Sequence, residues 1–158
     1  MNISRILVAL VSLGFLGSAV GAELILTDDG LSKSRSAGKM VALDVVSNGD
    51  LSGFDFIIPV PKGAKVDTSK CLSALPAGFE GRCKHNEGEV AVIAISMNAK
   101  ALPAGIHSIG SIAISGGDFS ARSNIKFNAV GADAKVLDSS VGLNSPGNVG
   151  VGRSVQTR

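Results

Sequence analysis

Leu51-Ser52-Gly53-Phe54-Asp55-Phe56-Ile57-Ile58-Pro59 carries Phe54, Phe56 and Ile58 at period two, with Asp55 set between them. A helix would scatter these side chains around its axis. An extended strand puts the apolar ones on one face and Asp55 on the other. Pro59-Val60-Pro61 then ends the strand, because proline cannot donate to a central ladder, so this end is an edge or an exit. The segment reads as a half-buried β-strand.

Working outward, the same grammar recurs. Upstream, Asn48-Gly49-Asp50 makes a turn, and Met40 to Val46 is a strand with Val41, Leu43 and Val45 on one face. Leu24 to Thr27 is a short first strand stopped by Asp28-Asp29-Gly30, and residues 31–38 are a polar loop. Downstream, Lys65 to Thr68 is a further short strand. Phe79 to Lys84 and Glu89 to Ser96 form a hairpin around Asn86-Glu87-Gly88. Val90 to Ile95 is apolar on both faces, which predicts a central strand. Ile106 to Ile114, Ile125 to Val130 and Ala134 to Leu137 complete the series. No long segment shows a 3.6-residue apolar period. The fold class expected is all-β, a two-sheet antiparallel β-sandwich or jelly roll of about eight or nine strands. Residues 139–158, rich in Gly, Ser and Asn with little to bury, are expected to be a largely disordered tail.

Ala74-Leu75-Pro76-Ala77-Gly78 recurs as Ala101-Leu102-Pro103-Ala104-Gly105. Proline at the second and glycine at the fourth turn position predict a type I turn leading into a strand. Five residues are too few for a domain repeat, so convergent turn chemistry is the reading.

The N-terminus has a different grammar. Arg5 precedes an apolar run from Ile6 to Leu16, and small residues lead to Val20-Gly21-Ala22. These are the parts of a secretory signal peptide. The run is shorter than the roughly twenty residues that a membrane helix needs, and no basic stop-transfer cluster follows. Residues 1–22 are expected to be a signal peptide cleaved after Ala22, residues 23–138 a sandwich domain, and the location secreted or periplasmic. No cysteine lies at the junction, which argues against a bacterial lipoprotein anchor. The mature chain of 136 residues is long enough for one domain with a core.

Composition excludes several classes of function. The mature chain carries fourteen basic and thirteen acidic residues, with no electrostatic case for nucleic acid or an anionic membrane. Lys33, Arg35 and Lys39 are the nearest approach to a basic cluster. There is no Trp and no Tyr, the rings on which sugar-binding faces usually stack pyranoses. Cys71 and Cys83 are the only cysteines, and in an oxidising compartment such a pair forms a disulfide. The mature chain has no Asn-x-Ser/Thr acceptor.

Catalytic material is sparse. His85 and His107 are the only histidines. His107 lies beside Ile106 and Ile109 in an apolar strand, on the opposite face from Ile112 if pairing is regular. Gly105 to Gly110 sets Ser108 near two glycines but misses the nucleophile-elbow spacing by one residue. Cys83, His85, Glu87 and Glu89 alternate as ligands on one strand face would, but zinc needs Cys83 as a thiolate, which competes with the disulfide. Asn48-Gly49-Asp50-Leu51-Ser52-Gly53 matches the first half of an EF-hand loop, yet its twelfth position is Pro59 instead of a bidentate acid. Asp28-Asp29 alone signals a loop, and Gly116-Gly117-Asp118 is turn material. No catalytic, metal or cofactor site is expected.

The order of segments resembles the cohesin-like modules of secreted bacterial proteins, a carbohydrate-binding-domain-like jelly-roll superfamily. The residues carrying the resemblance are Val41-Ala42-Leu43-Asp44-Val45, Leu51 to Pro59, Gly88-Glu89-Val90-Ala91-Val92, and Gly105 to Ile112. They follow the family's succession of strand patterns over roughly residues 24–137. The Cys71–Cys83 pair is not part of that pattern. The resemblance implies a nine-stranded sandwich and a non-enzymatic binding module whose partner is a protein, dockerin-like, held by a sheet face or an edge strand. It assigns no residue of this chain to that face. The alternative is a carbohydrate-binding module with a polysaccharide partner.

Overall fold

The computed structural model describes residues 21–28, 38–116 and 124–144. Within them the chain forms ten strands: β1 (Ala22–Asp28), β2 (Lys39–Ser47), β3 (Leu51–Pro59), β4 (Lys65–Asp67), β5 (Phe79–Asn86), β6 (Glu89–Ser96), β7 (Gly105–Ser115), β8 (Lys126–Gly131), β9 (Val136–Leu137) and β10 (Ser139–Asn144). They assemble as two five-stranded sheets, one ordered β10-β1-β2-β7-β4 and the other β5-β6-β3-β8-β9. Period-two alternation makes the core. The first sheet turns Leu24, Leu26, Val41, Leu43 and Val45 inward; the second answers with Phe54, Phe56, Ile58, Val90 and Val92. The fold class read from the sequence is the one observed.

Three details depart from the expectation. Ser139–Asn144 is no part of a tail: it forms β10, paired in parallel with β1 over six register partners from Ala22↔Ser139 to Thr27↔Asn144. Every other pair of neighbouring strands is antiparallel. The remainder of the tail expected at 139–158, and most of the signal peptide expected at 1–22, lie outside the described residues. Ala22 opens β1, is buried, and donates its N–H to the Asp138 carbonyl at 3.0 Å. The domain boundary drawn at residue 23 therefore falls one residue inside a strand.

The second departure is in β7. Leu43 faces Gly110 and Asp44 faces Ser108, so Ile109 is an extra residue in a β-bulge. The bulge reverses side-chain parity. His107, opposite inward-facing Val45, lies on the same side as buried Ile109 and Ile112, not opposite Ile112 as regular pairing would give. Gly110 sits in this bulge at φ 150°, packed against the backbone of Lys70 and Cys71.

The third is the first repeat. Its turn is closed by the Phe79 N–H donating to the Pro76 carbonyl at 3.1 Å, with Gly78 at φ 88° in the third position. That is type II geometry, one residue later than the type I turn expected, and it uses glycine where a positive φ is required.

Cys71 and Cys83 form a disulfide across 12 residues. It ties the turn-rich 68–75 segment to β5. The same segment bonds to the bulged strand through the Ser111 N–H to the Lys70 carbonyl (2.9 Å) and the Ala74 N–H to the Ile109 carbonyl (3.2 Å). One loop thus links both sheets. Replacing both cysteines by alanine is expected to lower stability by about 3 kcal/mol through the freed loop of the unfolded chain. Urea unfolding of the oxidised protein and of the Cys71→Ala, Cys83→Ala variant checks this; coincident curves would refute it.

Candidate binding face

β6 lies between β5 and β3, as its apolar composition predicts, but the second sheet is covered on one side only. Val90, Val92 and Ala94 enter the core, while Ala91, Ile93 and Ile95 point outward. Ile93 is 52% exposed and Ile95 51%, and Met97 just beyond the strand is 59% exposed. A solvated sheet face ordinarily alternates to polar residues here.

Register assembles these side chains into a patch. Ile95 faces Gly53, which faces Val130, which in turn faces Val136, itself 81% exposed. Gly53 has no side chain to separate its neighbours: a Cβ there would stand 2.9 Å from Val130 Cγ2 and 3.6 Å from Ile95 Cγ2. Ile95 and Val130 therefore lean together over the glycine, making an apolar row across four strands. Ile93 lies beside that row, flanked in register by Arg82 on β5 and Asp55 on β3.

The surround is polar. Glu80, Arg82 and Lys84 project from the edge strand β5, opposite Ile95, Ile93 and Ala91. On the other flank Asn128 Nδ2 donates to Asp55 Oδ1 at 3.0 Å, with Lys126 next along β8. An apolar centre ringed by charges of both signs is the anatomy of a protein-binding surface.

The candidates for chemistry are dispersed. His85 and Cys83 share the inward side of β5, opposite Val90 and Val92, and Cys83 is spent in the disulfide. Glu87 occupies the hairpin turn, and Glu89 faces Asn86. His107 belongs to the other sheet. Its Nε2 donates to the Pro103 carbonyl at 2.8 Å. Asn48 Oδ1 is taken by the Asp50 N–H at 3.1 Å, the signature of a tight turn. Asp28 pairs with Lys39 at 3.3 Å; Asp29, Lys33 and Arg35 lie outside the described residues. Among the described residues no group of three or more His, Cys, Asp or Glu converges as metal ligands. The Asp67 carboxyl is held below the ordinary range by hydrogen bonds from Ser69, and Asp133 by its contacts with Lys135; Asp67 ends β4 and Asp133 stands in a turn, both exposed.

No protein-family model matches the chain, and no curated protein matches it by sequence. Solved structures do match. The architecture is that of a two-sheet β-sandwich, and its particular form is cohesin-like. A type II cohesin, A11, from Bacteroides cellulosolvens superposes with a TM-score of 0.55 at 12% identity, covering 78% of this chain and 99% of that one. A non-cellulosomal cohesin from the hyperthermophilic archaeon Archaeoglobus fulgidus gives 0.53 at 10% identity, over 78% and 87%. The cohesin of a type II Cohesin-X-Dockerin complex from Acetivibrio cellulolyticus gives 0.53 at 9% identity, over 80% and 96%.

Proposed function

We infer that this chain is an exported, non-catalytic binding module that grips a protein partner on the outer face of β5, β6, β3 and β8. The observation carrying this reading is the outward pair Ile93 and Ile95 in the second half of β6, continued by Val130 and Val136 and rimmed by Glu80, Arg82, Lys84 and Asp55. A contiguous exposed apolar patch has a free-energy cost in water that a docked partner removes. The cohesin-like fold, and the X-dockerin seated with one of the similar structures, support a dockerin-type module as the partner. The signal-like N-terminus and the disulfide support export to the periplasm or beyond. A glycan reading gains nothing from the face: Phe54, Phe56 and Phe127 are buried, Phe79 is half-buried, and none of these stands out on the sheet as a stacking platform.

Substituting Ile93→Asp together with Ile95→Asp is expected to weaken partner binding by about thirtyfold or more, the scale of an interface hot spot. The wild type and the double variant, each immobilised with the disulfide intact, are used for affinity capture from the native culture supernatant or periplasm. The wild type retains a partner carrying a dockerin-type module and the variant loses it. Equal retention by both proteins would remove this face from consideration.

A further inference from the structure

We propose that the cleft between the two Ala-Leu-Pro-Ala-Gly loops is a binding site for a carboxylate carried on a short aliphatic body. The cleft has a volume of about 390 Å³, and both copies of the repeat meet in it: Pro76 and Ala77 from the first, Ala101, Leu102 and Pro103 from the second. Each loop is pinned by backbone bonds. The Phe79 N–H reaches the Pro76 carbonyl at 3.1 Å, and the Leu102 N–H reaches the Leu51 carbonyl at 2.7 Å. The apolar walls are therefore formed in advance of any ligand.

Two polar groups on the cleft offer donors, the Asn98 amide and the Lys100 ammonium. Asn98 Oδ1 accepts from Ser96 Oγ at 3.0 Å and from the Lys100 backbone N–H at 3.3 Å. A backbone N–H can only donate, so the amide orientation is set and Nδ2 is left over as a donor. It lies on the Gly78 side of the cleft, 3.8 Å from where a Cβ of Gly78 would stand. Lys100 supplies the one charged side chain of the lining, and no Asp or Glu is among the lining residues. His107, also on the lining, donates from Nε2 to the Pro103 carbonyl. One cation and one amide donor above proline, alanine and leucine walls match a single carboxylate with a small hydrocarbon behind it. That chemistry belongs equally to a free short-chain acid and to the C-terminal carboxylate of an extended peptide.

Amide chemical shifts of the full exported chain, disulfide intact, test the site by titration with butyrate, with N-acetyl-Gly-Val as free acid, and with the same dipeptide as its C-terminal amide. Butyrate, the free-acid peptide or both are expected to shift the amides of Ala77, Asn98 and His107, and the peptide amide is not. Response to butyrate alone assigns a free acid; response to the free-acid peptide alone assigns a chain terminus. Lys100→Gln is expected to weaken the interaction about tenfold, the loss of a hydrogen bond to a charged group. Ala77→Phe, at an exposed position, fills the cleft and abolishes it. No shift from either carboxylate, or shifts that persist in both variants, overturns the proposal.

Discussion

Phe56→Ala is expected to destabilise the domain by about 3–5 kcal/mol, read as a lower urea midpoint at unchanged slope. Phe56 is fully buried at 0% exposure, in the middle strand of its sheet. Val92 on β6 and Phe127 on β8 flank it in register, and the Phe54 ring stacks alongside with centroids 6.3 Å apart. Truncation would leave a cavity walled by three hydrogen-bonded strands, whose ladders prevent the walls from closing on it. Against a total stability of about 5–15 kcal/mol for an ordinary domain, the loss is severe. Ile93→Ala is the matched control, because Ile93 is exposed on the other side of the same sheet. Its cost is expected within about 0.5 kcal/mol. Equal losses from the two variants would mean that the inward and outward faces of this sheet are misassigned.

The second large effect is expected at the bulge of β7. Gly110→Ala should cost about 3–4 kcal/mol, from the strain of a positive φ together with the contacts that must open. A Cβ there would overlap the carbonyl oxygens of Lys70 and Cys71 and stand 2.6 Å from the Cys71 carbonyl carbon. All of these atoms are backbone, so no side chain can swing aside. Relief requires lifting the 68–75 segment off β7, which opens the Ser111-to-Lys70 and Ala74-to-Ile109 hydrogen bonds. Faster amide exchange at Ser111 and Ala74 accompanies the stability loss. Gly63→Ala separates strain from crowding: Gly63 has φ 79°, yet nothing lies within 4 Å of its would-be Cβ. That substitution is expected to cost about 1–2 kcal/mol. A Gly110→Ala loss no larger than the Gly63→Ala loss would refute the tight packing described for the bulge.

What was legible in the chain was what period-two patterning encodes locally. The strand around Phe54, Phe56 and Ile58, the hairpin at Asn86-Glu87-Gly88 and the cysteine pair needed no tertiary information. β10 was illegible because Ser139–Asn144 offers only Val141 and Leu143 as apolar residues. Its order comes from parallel pairing with a strand at the other end of the chain, which no local window contains. His107 was misplaced for a related reason: a bulge inverts parity, and only the packing of Lys70 and Cys71 against Gly110 explains why one forms there. The bare apolar face of the second sheet was half-visible. The surplus of apolar residues in β6 was evident, but a strand buried on both faces and a strand with one bare apolar face have the same composition. The meeting of the two Ala-Leu-Pro-Ala-Gly loops at one cleft could not be read at all, since it depends on how the sheets bring distant turns together.

The parallel pairing of β1 with β10 also governs how the domain bears load. Strands that run the same way side by side place the start of one and the finish of the other at opposite ends of the ladder. The domain is thus entered at Ala22 and left at Asn144 about 20 Å away along the strand direction. Tension between these points pulls the two strands lengthwise past each other. All the hydrogen bonds across the six register pairs are then strained at once, so they must rupture together, whereas bonds in a hairpin peel open one at a time. Pulled between its two ends, the domain would resist as a ladder loaded in shear.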